Sequence, residues 1–153
     1  RRPPDNSRSW DNCIQVVDTG GLRIVHWGDN RHNPPEEVWE ALGDVDILLL
    51  PIDDSQHVLG FPMVDEITAR LRPKVLIPHH YCIWNVVMLQ STLKDVRGWI
   101  ATKGNVREVG QASAVYSPHT LPDMVRIDHF GDHVGFDVDQ WHRDNGREVR
   151  PEG

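Results

Sequence analysis

Apolar residues fall into short runs separated by polar turns, and the period of the runs alternates between that of a strand and that of a helix. Cys13–Val17 (CIQVV) and Leu22–Trp27 are apolar stretches joined by Asp18–Gly21 (DTGG), whose glycines accept positive φ. Together they predict a β-hairpin. Gly28, with no Cβ, lets the chain turn where Asp29 leaves the second strand. Asn33 is placed to cap a helix whose first positions are Pro34 and Pro35, with Glu36 and Glu37 in its first turn, Val38, Trp39 and Leu42 on its inner face, and Gly43 at its end. Val45–Leu50 (VDILLL) reads as a central strand covered on both faces, stopped by Pro51.

The alternation continues. Met63–Leu71 is amphipathic and Pro73 forbids its extension, so a second helix precedes the strand Lys74–Pro78. Ile83–Leu89 is apolar but too short to assign. Ser91–Thr102 reads as a helix carrying Leu93, Val96, Trp99 and Ile100, and Val106–Val109, Ala112–Tyr116 and Met124–Ile127 read as short strands. The fold class expected is α/β, a mixed sheet with helices on one face and its site along one sheet edge. One domain over residues 12–128 is bracketed by irregular segments, 1–11 and 129–153.

Two strand ends carry the candidate chemistry. Asp29 follows the first, and His79 and His80 follow the strand Lys74–Pro78 at once. If these strands are neighbours, a hard oxygen ligand and one or two imidazoles share one rim. The loop Ile52–Gly60 adds Asp53, Asp54 and His57, and His32 lies just past the Asp29 turn. Each has a plainer reading: Asp29 as a turn former or helix cap, the histidines bonded to loop carbonyls, the 52–60 loop as solvated chain. His26 sits inside its strand as a core or supporting residue, and Trp27, Trp39, Trp84 and Trp99 read as packing groups. His129 and His133 stand at i, i+4 in a stretch without a firm helix signal. No Ser-His-Asp, Walker or GxGxxG pattern competes.

Composition narrows the classes. At 153 residues a single domain can bury a substantial core. A formal net charge of -7 without a basic stripe argues against a nucleic-acid binder, and no long apolar run marks a membrane span. Cys13 and Cys82 share no metal-type spacing and read as reduced, buried thiols of a cytoplasmic protein, with a disulfide the lesser reading. Arg1–Asp11 is polar, Pro-containing and opens without Met, as a flexible terminus or the middle of a longer chain would.

The runs NCIQVVDTGGLRIVHWGDN, VDILLLPIDD and RLRPKVLIPHHY, in that order and spacing, resemble the second half of the metallo-β-lactamase superfamily, in particular its ascorbate-phosphate lactonase-like branch of metal-dependent hydrolases. The resemblance runs from Asn12 to Tyr81, with a weaker continuation to about Ile127. It implies half of an αββα sandwich and a dinuclear zinc or manganese centre, with Asp29 as the catalytic bridge between the metals and His80 completing the second metal's shell. The HxHxDH motif that supplies most ligands in that family is absent from this sequence. The expectation is therefore a half domain, inactive alone and binding metal weakly or not at all, whose bare apolar sheet face pairs with a second copy or with a missing N-terminal half. The alternative is a non-catalytic α/β assembly or binding module that keeps the fold.

Overall fold

The computed structural model describes residues 12–55, 58–83 and 92–131, together with 140, 143 and 144. Six strands, β1 (Gln15–Thr19), β2 (Leu22–His26), β3 (Ile47–Pro51), β4 (Val75–His79), β5 (Val106–Glu108) and β6 (Arg126–His129), form one sheet in the order β1-β2-β3-β4-β6-β5. Only the β1/β2 hairpin is antiparallel. Its turn uses Gly20 at φ +58° and Gly21 at φ +77°, the two consecutive positive dihedrals that match strand twist. The remaining pairs are parallel. Helices α1 (Glu36–Leu42) and α2 (Phe61–Leu71) cross between β2, β3 and β4, and a single turn, α3 (Arg97–Ile100), precedes β5.

The register sorts the apolar residues. Val25, Leu48, Leu76 and Ile127 lie across one face, and Trp39 and Leu42 of α1, Val64 and Ile67 of α2, and Trp99 and Ile100 of α3 all pack on it. The helices therefore share one face, as expected. On the opposite face Leu22, Ile47 and Val75 are buried, while Ile24, Leu49 and Ile77 stay partly exposed under a cover that includes Tyr116 and Leu121. Pro78 is tolerated inside β4 because the registered pairing with β6 covers only Val75 and Leu76, so its missing N–H costs no ladder bond there.

Several local expectations shift. The first strand begins at Gln15, and all five of its residues are exposed, as befits an edge. Cys13 is exposed rather than buried, Cys82 is buried, and both are free. Helix α1 starts at Glu36 with Pro35 in the cap position and no side-chain cap, so Asn33 does not serve. The helix read over Ser91–Thr102 contracts to Arg97–Ile100. Lys94 spends its backbone elsewhere, its N–H donating to Asp53 O and its carbonyl accepting from Cys82 N, and Asp95 binds the Arg97 N–H at 2.7 Å. Ala112–Tyr116 is not a strand: Tyr116 turns inward and Ser117 caps a 3-10 turn, Pro118–Thr120. Trp84, most of Ile83–Leu89, His57, His133 and most of the two terminal segments lie outside the described residues.

Asp128 ties β6 to its surroundings. It is fully buried, accepts from Arg126 Nε at 2.7 Å and from Tyr116 Oη at 2.9 Å, and is gripped by the Arg107 guanidinium. Burial alone would raise its pKa, but the bonds from Arg126, Tyr116 and Arg107 outweigh it and hold the carboxyl below its usual range. Burial and the bond to Asp128 push the Tyr116 hydroxyl up to about 12. Asp128→Ala should cost about 3 kcal/mol in urea unfolding, toward the low end for breaking a buried ion pair because Arg107 keeps access to water.

Candidate metal-binding rim

Because β2, β3 and β4 run parallel, their C-terminal ends meet at one edge of the sheet. β2 and β4 are not neighbours as expected; β3 separates them. The gap is bridged by side chains, since the His26 and His79 rings stack at 4.9 Å between centroids and 19° between planes.

After β2 the ladder runs one residue further, Trp27 N donating to Leu49 O at 2.9 Å, and Trp27 is fully buried. Gly28 then turns at φ +63°, where a Cβ would meet Cys13 O at 3.3 Å. The turn is closed by Asn30, whose Nδ2 donates to Trp27 O and whose carbonyl accepts from Trp27 Nε1. Asn30 rather than Asp29 thus performs the turn-forming task, and Asp29 is left exposed at the tip. His32 is half-buried beyond it, and no hydrogen bond or ring contact among the described residues joins it to this group.

After β3, Ile52 N donates to His79 O at 2.8 Å and carries the chain into the buried Asp53. Asp53 accepts from Ser55 Oγ at 2.6 Å and from Leu59 N at 3.0 Å. Asp54, at φ +43°, accepts from Phe61 N at the start of α2, so its carboxylate serves the loop rather than the rim. After β4, His80 adopts φ +60° and sets Nδ1 4.0 Å from Asp53 Oδ2, too long for a hydrogen bond.

His79 is electrostatically distinct. Burial lowers its pKa from 6.5 to about 4, helped by His26 and His80, while a bond to the Leu49 backbone and the charge of Asp29 pull the other way. The Nε2 of His79 is buried without a hydrogen-bond partner among the described residues.

A second group stands at this edge, built on a histidine expected in the irregular segment 129–153. His129 ends β6, pairs through Nδ1 with Glu108 Oε2 at 2.7 Å, and packs its ring against Tyr81. Its one available signal was the alternation Ile127, His129, which places both on the helix-bearing face; that β6 inserts between β4 and β5 has no local signature.

The donor types, a carboxylate with several imidazoles, suit zinc and its neighbours. Their number does not complete a site: among the described residues no three His, Cys, Asp or Glu side chains are grouped to hold an ion.

Residues 1–80 match the family described as beta-lactamase superfamily domain. The chain belongs to the metallo-β-lactamase superfamily. Two bacterial proteins named UPF0173 metal-dependent hydrolase are similar over 75 residues: one from Natranaerobius thermophilus, 31% identical over 49% of this chain and 33% of its own length, and one from Pelotomaculum thermopropionicum, 32% identical over 49% and 32%. The matched stretch thus spans about a third of each relative's length. A crystal structure from Thermotoga maritima, placed by its title in the metallo-β-lactamase superfamily, superposes with a TM-score of 0.62 at 23% identity, over 74% of this chain and 55% of that one. That likeness shows the superfamily's fold in this chain.

The depressed His79 pKa has a direct consequence for stability. Between its unfolded value near 6.5 and its folded value of about 4 the unfolded chain binds more protons, so stability present above pH 6.5 is lost as pH falls toward 4. His79→Gln should flatten the pH dependence of the urea midpoint in that window by on the order of 2 kcal/mol, allowing for the solvent that still reaches the ring. An unchanged slope would mean that His79 is not the group titrating.

Proposed function

We propose that this chain is part of a metal-dependent hydrolase in which Asp29 and His80 would help hold a pair of divalent cations, zinc or manganese, with Asp29 the carboxylate shared between them. The observation that carries the reading is the meeting of the β2 and β4 ends at one sheet edge, where the His26 and His79 rings stack across β3 with Asp29 just past β2 and His80 just past β4. Membership of the superfamily and the named activity of the two relatives support it. Such a metal pair, when bound, brings the pKa of a shared water toward neutrality. This chain's part is to present an exposed carboxylate on a turn already closed by Asn30, and an imidazole fixed at the end of a buried strand. The other ligands lie outside the described rim, so metal binding by this chain alone is weak.

A second reading, a non-catalytic assembly module, is favoured by two facts: no HxHxDH occurs in the sequence given, and no three-ligand group occurs among the described residues. Zinc calorimetry separates the two. The hydrolase reading expects one weak site, lowered at least tenfold in affinity by Asp29→Asn or His80→Ala, without loss of fold. Joined to a segment bearing HxHxDH, the chain should gain hydrolysis that Asp29→Asn reduces by orders of magnitude, since Asn keeps the turn and removes the bridging charge. Full metal content and activity in Asp29→Asn would overturn the assignment.

The sheet face bearing Val17, Ile24, Leu49 and Ile77 is the surface assigned to assembly, with a second copy or the complementary half of the sandwich as occupant. Light scattering should show a dimer or larger at micromolar concentration; a well-folded monomer would remove the homo-oligomer.

A further inference from the structure

Asp53 is a fully buried carboxylate in a loop that could have been closed without a charge. Its Oδ1 accepts from Leu59 N and its Oδ2 from Ser55 Oγ, which satisfies the loop and leaves acceptor capacity unused. The group facing Oδ2 from the next strand end is His80 Nδ1, 4.0 Å away. Backbone bonds clamp the two together: Lys94 N donates to Asp53 O at 2.7 Å, Cys82 N donates to Lys94 O at 3.0 Å, and Ile52 N donates to His79 O at 2.8 Å. Residues before and after the Asp53–His80 pair are thus tied to one another, and His80 is held at φ +60° by its surroundings.

This arrangement distinguishes the two neutral forms of the His80 ring. With the proton on Nδ1, an N–H dipole points its positive end at a buried negative charge. With the proton on Nε2, a lone pair faces that charge, and where water is excluded the repulsion is poorly screened. We propose that Asp53 is a positioning residue: its carboxylate keeps the proton of His80 on Nδ1, so that Nε2 carries the lone pair offered at the rim. A carboxylate behind a histidine is a general way to fix the tautomer of a metal ligand and raise its basicity, and removing such a partner typically costs 10–100-fold in metal affinity. The value of the device rests on the reading of His80 as a ligand; the tautomer itself does not.

The test is a nitrogen-15 correlation spectrum of histidine-labelled chain at about pH 8, where an ordinary imidazole is neutral. Wild type should show His80 protonated on Nδ1. Asp53→Asn keeps an acceptor for Leu59 N, turns an amide donor toward Ser55 Oγ, whose hydroxyl can accept, and removes the charge, and should shift His80 mainly to Nε2–H. Ser55→Ala loosens the loop yet keeps the charge, and should leave Nδ1–H in place. A wild-type ring protonated on Nε2, or a ring unmoved by Asp53→Asn, overturns the proposal; if Asp53→Asn does not fold, wild type and Ser55→Ala still decide it. Zinc added to the wild-type chain separates the two claims. A moved Nε2 resonance supports the ligand role, and an unmoved one removes that role while the tautomer result stands on its own.

Discussion

The rim exists because β3 is paired in register on both edges. Ile47–Leu50 are all apolar, and three of the four are essentially buried, so the strand has no polar side chain to offer an alternative partner. A one-residue slip of β3 would move Leu48 and Leu50 out of the helix-covered core and turn Leu49 away from the face that His26 and His79 share. Pairing Leu49 with both His26 and Ile77 sets the two imidazoles on one face, close enough to stack over the strand between them.

Much of this framework was legible from local chemistry. VDILLL announces a strand covered on both faces and KVLIP a second short apolar strand, paired glycines announce the hairpin turn, and Gly43 and Pro73 mark the helix ends. What was not legible depended on distant partners. The helix read over 91–102 failed because the Lys94 backbone is committed to Asp53 and Cys82, contacts that no periodicity encodes. The strand read over 112–116 failed because Tyr116 has a buried carboxylate to reach in β6.

The candidate site divides the same way. Asp29, His79 and His80 were visible as polar residues immediately after apolar runs, a pattern that needs only sequence. The division of labour between Asp53, buried against His80, and Asp54, which serves the start of α2, was not, because adjacent identical residues differ only in which way the loop turns them. The participation of His26 was likewise hidden: a strand histidine reads as core until its partner across β3 is known.

Three described non-glycine residues adopt positive φ, and two of them, Asp54 and His80, sit at the ends of β3 and β4. Each left-handed L-residue carries about 1 kcal/mol of conformational cost that glycine would not. A chain selected for stability alone would drift toward glycine at position 80. Thermal stabilisation of this protein by consensus or computation would therefore tend to erase the imidazole first, and a variant library sorted only on melting temperature would be enriched for molecules that have exchanged chemistry for rigidity.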